Sequence, residues 1–184
     1  MGEALNVAFL RAINVGSHTV KMAELARLFR KMGFTDVATF IASGNVLFSA
    51  GDGSASRHEA AIAASLEDAL GYAVASFVRT LAELQKVLAA RPFDEVLPDG
   101  KELVLYVGFL AAKPSADAVK RVRLLSTPVD QFTVIGKEVY WLRHRAGRDR
   151  FEAPPLEKAL GQPTTLRNRN TITRLVALLT ADQH

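Results

Sequence analysis

Short apolar runs alternate with helix-spaced apolar positions along the first half of the chain. Residues 5–13 read as a buried strand built on Val7-Ala8-Phe9-Leu10. Met22, Leu25, Ala26, Phe29 and Met32 then recur at helical spacing, which predicts a helix over 21–33 stopped by Gly33. Val37–Ala42 and Val46–Ser49 predict two strands separated by Ser43-Gly44-Asn45. After the loop Gly51-Asp52-Gly53-Ser54, the segment Ser56-Arg57-His58-Glu59 has the form of a capping box. The helix it opens turns Ile62, Leu66, Ala69 and Leu70 inward and ends at Gly71. Val74–Val78 is a fourth strand. Thr80-Leu81-Ala82-Glu83 is a second capping box, opening a helix to Ala90.

This order is β-α-β-β-α-β, the split βαβ or ferredoxin-like pattern. Pro92–Lys101 is a turn-rich connection, so the expected subdomains are 1–91 and 102–184, which could also form one compact unit. Beyond the connection, Leu103–Leu110 reads as a strand and Ser115–Ser126 as a helix. Gln131–Ile135 and Val139–Arg143 read as a hairpin around Gly136-Lys137. A short helix at Leu156–Leu160 and a terminal helix from Thr171, N-capped by Asn170, complete the chain. The second half thus repeats β-α-β-β in element order, without a residue-level repeat. The expected fold class is α+β, with antiparallel sheet covered by helices.

A ferredoxin-like first half has strand order four-one-three-two. The end of strand one then lies beside the start of strand three and the end of strand two. Arg11, Asn14, Gly16, Ser43, Gly44 and Asn45 would converge on one sheet edge, with the helix start near Thr19 and Lys21. Unpaired N–H groups at a helix start suit an anion. An arginine, a lysine, two asparagines and a serine there describe an anion pocket. The alternative is turn chemistry, because Gly takes positive φ and Asn bonds its own backbone. In that reading Arg11 pairs with a carboxylate such as Glu24. Turn chemistry explains less well an arginine in an otherwise buried strand, since a buried charge needs compensation.

The chain is 49% hydrophobic and 23% charged, which predicts a folded core rather than disorder. It has no cysteine, so disulfides, thiolate chemistry and cysteine zinc sites are excluded. The N-terminal residues lack the pattern of a secretory signal, and no apolar run approaches membrane-spanning length, so a cytoplasmic protein without membrane contact is expected. The net charge is +4, a mild excess. It is concentrated between Arg143 and Arg174, where eight basic residues face three acids. That segment reads either as a solvated basic face or as a surface for phosphates or carboxylates. Within it, Thr164–Thr171 is a polar lead-in to the last helix. Arg167, Asn168 and Asn170 are its candidate ligand contacts, with Arg169 a second anion contact beside Arg167, because guanidinium grips phosphate or carboxylate with two prongs.

Three stretches carry a family resemblance. They are Leu10–Ser17 with Lys21–Leu25, Gly33–Val37 leading to Ser43-Gly44-Asn45-Val46, and Leu156–Gly161 leading to Thr165–Thr171. Together they resemble signatures of the domain of unknown function 1697 family, across essentially the whole chain. The resemblance implies a small cytoplasmic α+β protein, mostly bacterial, with no established activity and no mechanism. The family usually has glycine where Ala12 and Ser17 stand, and tryptophan where Arg169 stands. The arginine in place of tryptophan favours an anionic partner over stacking.

Other signals are weak. His18, His58, His144 and His184 show no metal spacing, and neither a phosphate-binding glycine loop nor a nucleophile elbow occurs. No cofactor is expected and catalysis is unassigned. Phe40, Phe48 and Phe77 on predicted strands read as core rather than as an RNA-stacking surface, and Trp141 as core or edge cover. The leading expectation is binding of a phosphate-bearing or other anionic small molecule at the strand-one edge. Nucleic-acid binding through the basic C-terminal face, an unassigned metabolite enzyme and a homo-oligomeric interaction module are the alternatives. Ligand identity and oligomeric state stay open.

Overall fold

The computed structural model describes residues 4–16, 18–51, 53–93, 102–145 and 151–181. The chain divides into two units, Met1–Gln85 with Leu175–His184, and Lys86–Arg174.

The first unit contains β1 (Ala4–Leu10), α1 (Met22–Lys31), β2 (Thr35–Phe40), β3 (Asn45–Ala50), α2 (Ala55–Leu70) and β4 (Ser76–Thr80). The helix α3 (Leu81–Ala89) follows directly and carries the chain across the unit boundary. The sheet order is β2-β3-β1-β4, antiparallel throughout. That is the order the element pattern predicts. Ala8, Leu10, Val46, Phe48 and Val78 share one face and pack on Leu25, Phe29, Ile62 and Leu66 of the two helices. Phe29, Phe34 and Phe48 interlock there, with ring centroids 4.5 to 5.8 Å apart. Of the three phenylalanines expected in the core, Phe48 and Phe77 are buried and Phe40, at the end of β2, is half-buried.

The second unit contains β5 (Leu103–Phe109), α4 (Ala116–Arg123), β6 (Asp130–Ile135), β7 (Glu138–His144), α5 (Leu156–Leu160), β8 (Thr165–Asn168) and the start of α6 (Arg169–Ala181). Its sheet order is β6-β7-β5-β8, again antiparallel. Trp141 is buried at its centre, stacked on Tyr106 at 4.9 Å and Phe132 at 5.9 Å. Its indole N–H donates to Asp130 Oδ1 at 2.7 Å, which satisfies the one polar atom of the ring.

The partial repeat expected from the sequence is complete. The missing strand is β8, whose residues Thr165-Leu166-Arg167-Asn168 were expected as a polar lead-in. Tertiary pairing with β5 makes them a strand, because Thr165 and Arg167 are buried despite their polarity. The two units also match residue by residue at their centres. Val7 pairs with Arg79 and Leu47, and Val107 pairs with Arg167 and Tyr140. In each unit a buried arginine on the last strand directly precedes a residue that caps the next helix.

Those caps are specific. Thr80 and Glu83 form the expected capping box: Glu83 N–H donates to Thr80 Oγ1 at 3.2 Å, and Thr80 N–H to Glu83 Oε2 at 2.8 Å. At α6 the cap is Asn168, whose Oδ1 accepts from Asn170 N–H at 2.8 Å, so the helix begins two residues before the expected Thr171. At α2 the cap is Ser54, which accepts from Arg57 N–H. Glu59, the expected partner of Ser56, points instead to the open edge of β4 and accepts from Val78 N–H at 2.8 Å. The edge of β4 has no neighbouring strand and is buried, so its Val78 N–H needs an acceptor, whereas the helix start already has a cap.

Tyr140 is buried on β7, its hydroxyl donating to Val87 O at 3.5 Å. Burial, and to a lesser degree the Glu138 charge, raise its pKa. An unfolded tyrosine ionises near pH 10. Above about pH 10 the unfolded chain therefore binds fewer protons at this site than the folded one, and stability falls as pH rises. Tyr140→Phe should flatten this alkaline limb, which urea midpoints measured between about pH 9 and pH 11 will read.

Candidate functional site

Strand one ends sooner than its apolar run suggests. β1 stops at Leu10, and the chain then bends through Arg11–Asn14. Ala12, Asn14 and Gly16 have φ of 65°, 54° and 61°. Left-handed backbone at Ala12 cannot continue a strand, which is why Ile13 leaves the sheet. Ile13 instead buries its side chain against the β2–β3 turn. There a Cβ on Gly44 would lie 3.0 Å from Ile13 Cβ.

Asn14 fastens this loop on two sides. Its Nδ2 donates to Ala42 O at 2.9 Å, and its Oδ1 accepts from Val20 N–H at 2.7 Å. One amide thereby joins the end of β1, the β2–β3 turn and the approach to α1. Leu10 N–H donates to Gly44 O at 2.8 Å, and Arg11 N–H to Ala75 O at 2.9 Å, which adds the approach to β4. His18 stacks on Tyr72 of that approach with ring centroids 3.9 Å apart.

The expected site residues in the first unit therefore gather at one sheet edge, with unlike exposures. Arg11, Asn14 and Ser43 are half-buried, while Gly16 and Lys21 are exposed. Asn45 is fully buried; its Nδ2 donates to Phe40 O at 3.1 Å and Ser43 Oγ at 2.9 Å, closing the hairpin turn. Gly44 is buried beneath Ile13 with φ of 72°. Lys21 is the N-cap residue of α1 and offers no side-chain acceptor to its first turn. The Glu24 carboxylate is gripped by both prongs of Arg27, at 2.8 and 2.6 Å, which lowers its pKa and raises that of Arg27. Glu24 is thus committed within its own helix rather than to the end of β1.

The second unit holds Arg167, Asn168 and Asn170. Arg167 is buried within β8, where its Nη1 donates to Thr165 Oγ1 at 2.8 Å and Leu166 O at 2.9 Å. Burial pushes its pKa down to about 10. Asn168 and Asn170 line a cavity of about 180 Å³ with Arg145, Arg169 and the first residues of β5. Arg169 was expected as an anion contact of this cluster, and Arg145 was not. The pairing of β5 with both β7 and β8 brings Arg145 beside residues 168–170, and the β8 pairing was not legible in the sequence. Of the basic residues between 143 and 174, Arg143 and Arg167 are buried, and 146–150 lie outside the described residues. Among the described residues no cluster of His, Asp and Glu could hold a metal ion, and no helix is long and apolar enough to cross a membrane.

Fold and site together define a small α+β protein built from two similar four-stranded antiparallel units, with polar loops gathered at the end of the first strand. The chain belongs to the family described as protein of unknown function DUF1697, which matches residues 5–140. The first two resemblance stretches fall inside that span, and the third, from Leu156, lies beyond it. Among solved structures it is similar to conserved bacterial protein SP0830 from Streptococcus pneumoniae. The two are 18% identical with a TM-score of 0.72, over 97% of this chain and 99% of that one. That likeness concerns the fold and extends past the family match to nearly the whole chain. No curated protein matches the sequence.

Proposed function

We propose that the first unit binds a phosphate-bearing or other anionic small molecule at the strand-one edge. The observation that carries this reading is the double tie made by Asn14. It ties the β2–β3 turn to the segment that runs from Arg11 through His18 to Lys21 and the start of α1, which has no side-chain cap, and Glu24 in the first turn of that helix is engaged by Arg27. Arg11 and Lys21 supply charge, and the helix start supplies amide donors. Asn45 and Gly44 shape the turn rather than meet the ligand. A polynucleotide partner has less support, because part of the C-terminal basic cluster is buried.

The test is equilibrium binding of nucleoside phosphates, sugar phosphates and carboxylates to the unmodified protein and to Arg11→Ala combined with Lys21→Ala. The variant should lose at least about tenfold in affinity, equivalent to about 1.4 kcal/mol. Its melting temperature should stay close to that of the unmodified protein, since Lys21 is exposed and Arg11 half-buried. Absence of saturable binding to the unmodified protein would remove the reading.

A further inference from the structure

The second unit holds a cavity that the strand-one edge does not explain. β5 pairs with β7 along its whole length, and Arg145 N–H continues that ladder by donating to Glu102 O at 2.7 Å. β8 is shorter. Its last pair with β5 joins Asn168 to Tyr106, because the chain turns there into α6. Leu103–Leu105 therefore reach past the end of β8. They line one part of the cavity of about 180 Å³, and Arg145, Asn168, Arg169 and Asn170 line the rest.

The charge of this wall is one-sided. It has two arginines and no acid. Among the described residues, neither Arg145 nor Arg169 forms an ion pair, whereas Arg27 and Arg79 of the first unit both have carboxylate partners. Glu102 meets Arg145 through its backbone, and its exposed side chain is not part of the wall. Arg169 is half-buried, and its Nη2 donates to Leu88 O at 3.1 Å. A neutral carbonyl thus steadies this guanidinium without cancelling its charge. Asn168 Oδ1 is taken by Asn170 N–H, which leaves the Nδ2 group of Asn168 as a donor.

The first unit supplies an internal comparison. Asn168 corresponds to Thr80, since each follows the buried arginine of its last strand and caps the next helix. The first turn of α3 carries Glu83, whose carboxylate accepts from Thr80 N–H at 2.8 Å. The first turn of α6 carries no acid. The positive end of α3 is therefore matched by a carboxylate of its own helix, and that of α6 is not.

We propose that this cavity is a second anion site, independent of the strand-one edge, and that it takes the phosphate group of a small phosphate ester. Sites that enclose a whole small molecule start at about 300 Å³, so this one admits a single group and leaves the remainder of the ester in solvent. Two arginines suit a group that carries about −1.5 to −2 charges at pH 7, as a phosphate monoester does. They come from the end of β7 and the start of α6, and a tetrahedral group presents oxygens in more than one direction. A carboxylate carries one charge and two oxygens in a plane, so it satisfies this wall less well.

An amide-resolved NMR titration of the full chain with inorganic phosphate, glucose 6-phosphate and acetate tests this. Saturable shifts of the amides of Leu103–Leu105 and Asn168–Asn170 are expected with phosphate and with the ester, at least about tenfold tighter than with acetate. Arg145→Gln removes an exposed charge, and Asn170→Asp adds one at constant size on an exposed residue at a helix start. Neither should lower the melting temperature. Each should weaken both phosphates at these amides at least about tenfold. Arg11→Ala combined with Lys21→Ala should leave that affinity unchanged. Saturation by inorganic phosphate without a response to glucose 6-phosphate would overturn the ester. Equal affinity for acetate, shifts that grow linearly with every salt, or no shifts at these amides would overturn the site, whatever the strand-one edge binds.

Discussion

Arg79→Leu is expected to lower the unfolding free energy by about 3–5 kcal/mol, the usual result of stranding one member of a buried ion pair. Arg79 is completely buried, its Nη1 lies 3.6 Å from Glu59 Oε1 and donates to Val78 O at 2.8 Å. Glu59 is itself buried and accepts from Val78 N–H. The pair therefore seals the open edge of β4, where a strand would otherwise present unsatisfied backbone. Leucine fills most of the volume but leaves a carboxylate without its cation. Adding Glu59→Gln removes that charge while keeping an acceptor for Val78, so the double variant should recover part of the loss. The expected coupling is about 0.5–3 kcal/mol. Urea unfolding followed by circular dichroism measures all three variants against the unmodified chain. A loss below about 1 kcal/mol for Arg79→Leu would mean that Glu59 is compensated from elsewhere.

The first unit was legible because its signals agree. Helical spacing from Met22 to Met32, the turn at Ser43–Asn45 and the Thr80–Glu83 box all specify one topology, and that topology brings the polar loops together. The second unit was half-legible for a physical reason. β8 is four residues long and carries Thr165 and Arg167 inward, so no apolar alternation marks it. Its existence depends on β5, more than fifty residues away, which supplies the hydrogen bonds. The cap of α6 was misplaced for a related reason. Asn168 and Asn170 are equally good caps in isolation, and only the end of β8 selects the first.

The gathering of the polar loops at the end of β1 was legible in its location and not in its backbone. Asn14 and Gly16 are residue types that take positive φ, but Ala12 is not, and its left-handed state is invisible in the sequence alone. The family's usual glycine at that position is the one hint, and the φ of 65° supplies its reason.

Gly44→Ala should be the most damaging single-methyl change at this edge, costing about 2–5 kcal/mol from left-handed strain and overpacking together. Gly44 has φ of 72°, and an added Cβ would meet Ile13 Cβ at 3.0 Å and Leu10 Cβ at 3.2 Å. Both contacts are with first side-chain carbons, which no rotamer change can move. Relief requires the backbone of the 11–16 loop or of the turn to shift, and that shift would break the hydrogen bond from Leu10 N–H to Gly44 O. Gly16→Ala provides the control. It has nearly the same φ, 61°, with nothing within 4 Å of the new atom, so it carries the strain of about 1–2 kcal/mol alone. The difference between the two variants in urea isolates the close approach of Ile13. If they lose stability equally, the packing of the turn on Ile13 is not what holds the loop. If Gly44→Ala loses more, the placement of Arg11 and Asn14 depends on a hydrophobic contact beneath them, and the same variant should weaken anion binding although it removes no charged group.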